Sequence, residues 1–158
     1  MSIVFTEPGK RLEMDIIGYE FPDAGGDEEG FDPNWLLFRF AYTVNESTGL
    51  TGLTGREGGQ TEVYEDASML TWELKALYGN ITELLDGKRA ALKTDFMEPY
   101  LSIEIEEDAG LYPARIRFVY DTEKEWKELS VCGKMTRQEL EGMTDELEKM
   151  YERFPQRG

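Results

Sequence analysis

The sequence contains no histidine and one cysteine, Cys132. The missing imidazole excludes Ser-His-Asp and Cys-His nucleophilic sites, His-ligated metals and the usual near-neutral general base. A lone cysteine cannot form an internal disulfide, and without a C-x-x-C or Cys/His cluster there is no zinc-ligand pattern. Cys132 sits in the strand-like run Leu129-Ser-Val-Cys-Gly133 with no evident cationic activator, and reads as a buried or edge thiol. No apolar run approaches the ~18 residues of a spanning helix, and Met1 to Thr6 lacks the basic-then-apolar pattern of a secretion signal. A reducing, cytoplasmic location is expected.

Bases are scarce as well: 17 Lys and Arg face 33 Asp and Glu, for a net charge of −16. The imbalance is confined to the front of the chain, where residues 1 to 114 hold 23 acids and 8 bases, whereas residues 115 to 158 hold 10 acids and 9 bases. Eight acids and no base lie between Arg11 and Arg39, and six acids and no base between Lys93 and Arg115. Such a field repels nucleic acid and anionic membranes and draws in basic partners at salt-dependent rates; it also serves simple solubility. No P-loop or strand-linked G-x-G-x-x-G supports a phosphate cradle. The segment Asp23-Ala-Gly-Gly-Asp-Glu-Glu-Gly-Phe-Asp32 is rich in oxygen ligands but departs from the EF-hand pattern, with Gly25 and Asn34 at ligand positions. A glycosidase-like pair such as Glu98 and Glu104 is no more than chance among so many acids. No cofactor and no metal are expected.

What is present is enough for a core. Forty per cent of the 158 residues are apolar, including eight Phe, eight Tyr and three Trp, so the chain reads as a single domain over residues 1–158. Leu12, Met14 and Ile16 alternate with polar residues in a half-buried strand, and Ser2 to Thr6 is its partner across a Pro8-Gly9 turn. Trp35 to Val44 is a central strand. A flexible connection is expected over Gly49 to Gly59, followed by a short strand from Gln60 to Tyr64. Leu74, Leu77, Tyr78, Ile81, Leu84 and Leu85 predict a helix from Thr71 to Leu85, with Thr71 as cap and Gly87 as stop. Strands follow at Ala90 to Phe96, Leu101 to Ile105, Ala114 to Tyr120 and Lys127 to Cys132. Thr136-Arg-Gln-Glu139 has capping-box spacing and opens a final helix. The order predicts an α+β class: an antiparallel β-sheet of about seven or eight strands, with one inserted and one C-terminal helix packed on it.

Five short segments, Gly18-Tyr-Glu-Phe-Pro-Asp23, Asp32-Pro-Asn-Trp-Leu36, Leu70-Thr-Trp-Glu-Leu74, Phe96-Met-Glu-Pro-Tyr-Leu101 and Phe154-Pro155, together resemble the WapI family of bacterial immunity proteins in order and spacing. The resemblance implies a small non-enzymatic antitoxin that binds and neutralises the C-terminal domain of a cognate polymorphic toxin, a basic nuclease being one candidate. On this reading Asp23, Asp27, Glu28, Glu29 and Asp32 form the partner-binding loop of a monomer or weak homodimer. Within the motifs Tyr19, Phe21 and Trp35 read as core aromatics, Pro22 and Pro99 as turn formers, and Asp23 and Asn34 as loop hydrogen-bonders. Of the remaining tryptophans, Trp72 and Trp126, one is expected at an interface. The rival reading is a general acidic adaptor without a toxin partner, which shares every compositional argument and is separated from the first by gene neighbourhood.

Overall fold

A computed structural model describes residues 1–24, 32–45, 60–121 and 125–157. The expected connection at Gly49 to Gly59 lies outside them. Among the described residues, eight strands and two α-helices follow in the order β1 (Ser2–Glu7), β2 (Lys10–Tyr19), β3 (Trp35–Val44), β4 (Gln60–Leu70), α1 (Thr71–Leu85), β5 (Ala91–Lys93), β6 (Leu101–Glu106), β7 (Tyr112–Asp121), β8 (Trp126–Met135) and α2 (Arg137–Arg153). All strand pairs are antiparallel, and the class is α+β, as the order of elements implies.

The strands divide equally between two sheets, β1-β2-β3-β4 and β5-β6-β7-β8. Helix α1 is the reason: β4 runs straight into it, so the chain leaves the first sheet before β5 begins. Edge strands β1 and β8 then come together without a backbone ladder between them; the Cys132 amide donates instead to Oε1 of Glu7 at 3.2 Å, and Lys10 Nζ donates to the Ser130 carbonyl at 3.5 Å. Inward residues build matching rows. In the first sheet Ile3 faces Met14, Met14 faces Phe40 and Phe40 faces Tyr64; in the second, Ile103, Ile116 and Val131 are aligned, as are Leu101, Phe118 and Leu129. Phe40 stacks on Phe118 with ring centroids 4.0 Å apart, and Tyr64 meets Tyr120 at the same separation, so the two sheets share one core.

Both helices close that core with a 3-4-3 apolar spacing: Leu74, Leu77, Ile81 and Leu84 on α1, and Leu140, Met143, Leu147 and Met150 on α2 are buried. They pack on one another through Tyr78 and Tyr151, 5.2 Å apart edge to face. The capping box of α2 forms as its spacing requires, the Glu139 amide donating to Thr136 Oγ1 at 3.1 Å and the Thr136 amide to Glu139 Oε1 at 3.2 Å. Arg137 donates to the Leu85 carbonyl at 2.9 Å, placing a cation at the C-terminal end of α1.

Three local expectations are corrected. Thr71 does not cap α1: Leu70 occupies the N-cap position, Oε2 of Glu73 accepts from the Leu70 amide at 2.9 Å, and the Thr71 hydroxyl turns inward to Asn34. The strand starting at Gln60 continues to Leu70, because Met69, paired with the buried Leu36, extends its inner face into the core. β5 has only three residues, since at Thr94 only one backbone bond remains, its amide donating to the Ile103 carbonyl at 2.9 Å, while the Ile103 amide donates to the Thr94 side-chain oxygen at 2.9 Å.

Candidate functional site

Three carboxylates from separate parts of the chain come together at the free edge of the first sheet. Glu20 follows β2, its amide held by the Trp35 carbonyl at 2.9 Å. Asp66 lies on β4, the edge strand, directly opposite Phe38, and therefore on the inward face where the sheet opens to solvent. Glu98 belongs to the β5–β6 connection, which Glu73 ties to the start of α1: Oε1 of Glu73 accepts the Met97 amide at 2.6 Å while Oε2 holds that of Leu70.

The pKa values of all three acids are raised from their ordinary values. Partial burial is the largest cause for each. For Glu20 the negative charges of Asp66 and Asp32 add to it, and for Glu98 those of Asp66, Glu20 and Glu73. For Asp66 a hydrogen bond from the Ala67 backbone offsets part of the burial effect. None of the three is ion-paired among the described residues, so the repulsion that raises Glu20 and Glu98 is left uncompensated. Further along β4, the Tyr64 hydroxyl, pushed well up from its usual range by burial and by its bond to Glu62, also contacts the Tyr120 hydroxyl at 3.0 Å.

Apolar surface flanks the acids. Phe21, adjacent to Glu20, is 44% exposed, and Met97, adjacent to Glu98, is 54% exposed. Tyr100 stacks on Trp126 at 5.3 Å, and both face solvent, Trp126 at 59%. Trp126 is thus the exposed one of the two remaining tryptophans. Phe21 does not join the core as its motif suggested, because β2 ends at Tyr19 and the chain turns outward there. An acidic centre bordered by exposed aromatics suits recognition of a cationic protein surface. No group of three or more acids or cysteines among the described residues is arranged to hold a metal ion.

Of the loop acids anticipated as contacts, Asp23 is exposed beside Phe21 and Pro22, and Asp32 opens a single 3-10 turn, Asp32–Asn34, close enough to Glu20 to raise its pKa. Asp27, Glu28 and Glu29 lie outside the described residues. Sequence reading missed Glu20, Asp66 and Glu98 as a group. A signal existed for two of them, since Glu20 and Glu98 fall in the two base-free stretches, but only the fold brings those stretches together around Asp66.

Glu98 and Glu104 serve different surroundings. Glu104 forms an ion pair with Lys93 at 3.4 Å on the outer face of the second sheet, where a groove of about 900 Å3 is walled by Arg89, Lys93, Arg115, Lys134 and Glu106. Cys132 opens into this groove and is exposed, an edge-strand thiol rather than a buried one. No helix among the described residues is long and apolar enough to cross a membrane.

A family model described as the immunity protein WapI-like family matches residues 3–155. No match was found to a curated protein or to a solved structure.

Proposed function

Because the chain belongs to the WapI-like immunity protein family, we propose that it is a non-enzymatic, cytoplasmic, single-domain immunity protein that neutralises the C-terminal domain of a cognate toxin by binding it. The family match across residues 3–155 carries this reading. The site geometry supports a particular form of it. Glu20, Asp66 and Glu98 repel one another in the free protein, and a Lys or Arg from a basic partner would relieve that repulsion on docking, so part of the binding energy is strain already present in the free chain. The net charge of −16 accelerates the encounter. Phe21, Met97, Tyr100 and Trp126 then supply the desolvated contacts that charge alone does not provide. Asp23 and Asp32 extend the acidic surface, and the acids Asp23, Asp27, Glu28, Glu29 and Asp32 act together in steering.

The test is a pull-down of the tagged chain from its own organism with identification of the retained protein, followed by affinity measurements over a range of salt. A toxin C-terminal domain held tightly, with affinity falling as salt rises, is the expected result. Failure to recover any toxin from cells shown to express one overturns the reading.

A further inference from the structure

The C-terminal tail, which follows α2 without a helix or strand of its own, returns to the acidic loop and holds both of its ends. The guanidinium of Arg157 lies 3.7 Å from the centre of the Tyr19 ring. Its three nitrogens are all engaged with backbone carbonyls: Nη2 donates to Phe21 at 2.8 Å and Nη1 to Pro22 at 3.1 Å on the incoming side of the loop, and Nε donates to Pro33 at 2.8 Å on the outgoing side. The backbone repeats the bridge, with the Arg157 amide donating to Oδ1 of Asn34 at 2.8 Å and Nδ2 of Asn34 donating to the Arg157 carbonyl at 2.9 Å. Asn34 is buried, and its Oδ1 also accepts the Thr71 hydroxyl at 2.9 Å, which links the tail to the first residue of α1. Tyr19 adds a hydrogen bond to the Pro155 carbonyl at 2.7 Å and an edge-to-face contact with Phe154 at 5.6 Å.

An arginine is suited to this place because a planar fork can meet carbonyls on both sides of a chain reversal, which a lysine's single point charge does not do. Three of its five N–H groups are taken by carbonyls, and no ion pair joins Arg157 to an acid among the described residues. The segments it joins carry Glu20 and Phe21 on one side and Asp32 on the other, and it bridges them beyond the last β2–β3 backbone bond, from the Glu20 amide to the Trp35 carbonyl.

We propose that Arg157 is a positioning residue for partner recognition: by clamping Phe21 and Pro22 to Pro33 it presents Glu20, Phe21 and Asp32 preformed in the free protein. The proposal rests on the reading of that surface as the partner-binding one. Preformed presentation removes an ordering cost that an unclamped loop would incur at binding, so the tail acts on affinity without touching the partner.

Arg157→Gln and Tyr19→Phe, each made in the full chain, separate this role from simple structural support. Hydrogen exchange on the free proteins is expected to quicken about tenfold or more at the Glu20 and Ala24 amides in Arg157→Gln, with β6 and β7 amides unchanged and the global melting temperature close to that of the parent. Unchanged exchange at Glu20 and Ala24 overturns the clamp. Against the toxin domain recovered with the parent protein, affinity should fall about tenfold in Arg157→Gln with the same salt slope, because every loop acid is retained, and by less in Tyr19→Phe. Faster exchange with parental affinity overturns the role in recognition while leaving the immunity reading standing. Recovery of no toxin at all defeats the immunity reading and the recognition role with it; the exchange result then reports on the clamp alone.

Discussion

A Cβ placed on Gly133 would lie 1.9 Å from the carbonyl oxygen of Thr6. The clash is of the first side-chain carbon against backbone, at the point where edge strands β1 and β8 bring the two sheets together, and no rotamer change relieves it. Gly133→Ala is therefore expected to destabilise the fold by about 3 kcal/mol or more, at the upper end of overpacking effects. Chemical denaturation checks this; a midpoint within error of the parent would mean that the β1–β8 seam can open without loss.

Asn34 satisfies three partners from positions that are distant in sequence: the Arg157 amide and carbonyl, and the Thr71 hydroxyl. Replacing it with leucine fills the space but strands those groups without partners, for an expected loss of about 1–3 kcal/mol. Thr71→Val, which removes only the hydroxyl, should cost less. Equilibrium unfolding of both variants in denaturant gives the comparison, and equal losses would refute the hub.

Glu20, Asp66 and Glu98 have folded-state pKa values raised above those of unfolded carboxylates. The folded state consequently binds their protons more tightly, and stability rises as pH falls from neutrality through their folded values. Glu13, lowered first by its hydrogen bond from Arg11, works in the opposite sense: its contribution is present above the unfolded pKa and is lost as pH falls through the folded one. Melting temperature should therefore climb as pH falls from neutrality through the folded values of these three acids, and decline once pH falls below the ordinary carboxylate range. Asp66→Asn should raise stability at pH 7 by about 0.5 kcal/mol, after allowance for solvent screening of this half-buried group, and reduce the climb. It should also weaken partner binding, which makes the cluster a case of stability given up for recognition.

Tyr100 and Trp126 stack on each other while facing solvent. Trp126→Ala should leave the melting temperature within a few degrees of the parent and lower affinity for the captured toxin domain at least about thirtyfold, the scale of an interface hot spot near 2 kcal/mol. Isothermal titration alongside thermal denaturation tests both halves. Parental affinity in this variant would move the contact surface away from the second sheet.

Periodicity and capping chemistry were enough to specify most elements, because they act between neighbours in the chain. Leu12, Met14 and Ile16 can share a face only in a strand, Leu140, Met143, Leu147 and Met150 only on a helix, and Thr136 with Glu139 satisfy their own helix end wherever that helix packs. The same locality explains the misses. Thr71 has the chemistry of a cap, but a buried Asn34 thirty-seven positions away claims its hydroxyl, and Phe21 has the composition of a core residue on a segment that the end of β2 directs outward. Net charge and its crowding into the first 114 residues were properties of composition, and so was the exclusion of histidine chemistry. What only the tertiary structure decided was which acids meet. Glu20, Asp66 and Glu98 are separated by 46 and then 32 positions, and their mutual repulsion comes into being when the β2 terminus, the β4 edge and the β5–β6 connection converge; charge interactions depend on distance in space, which no spacing along this chain encodes.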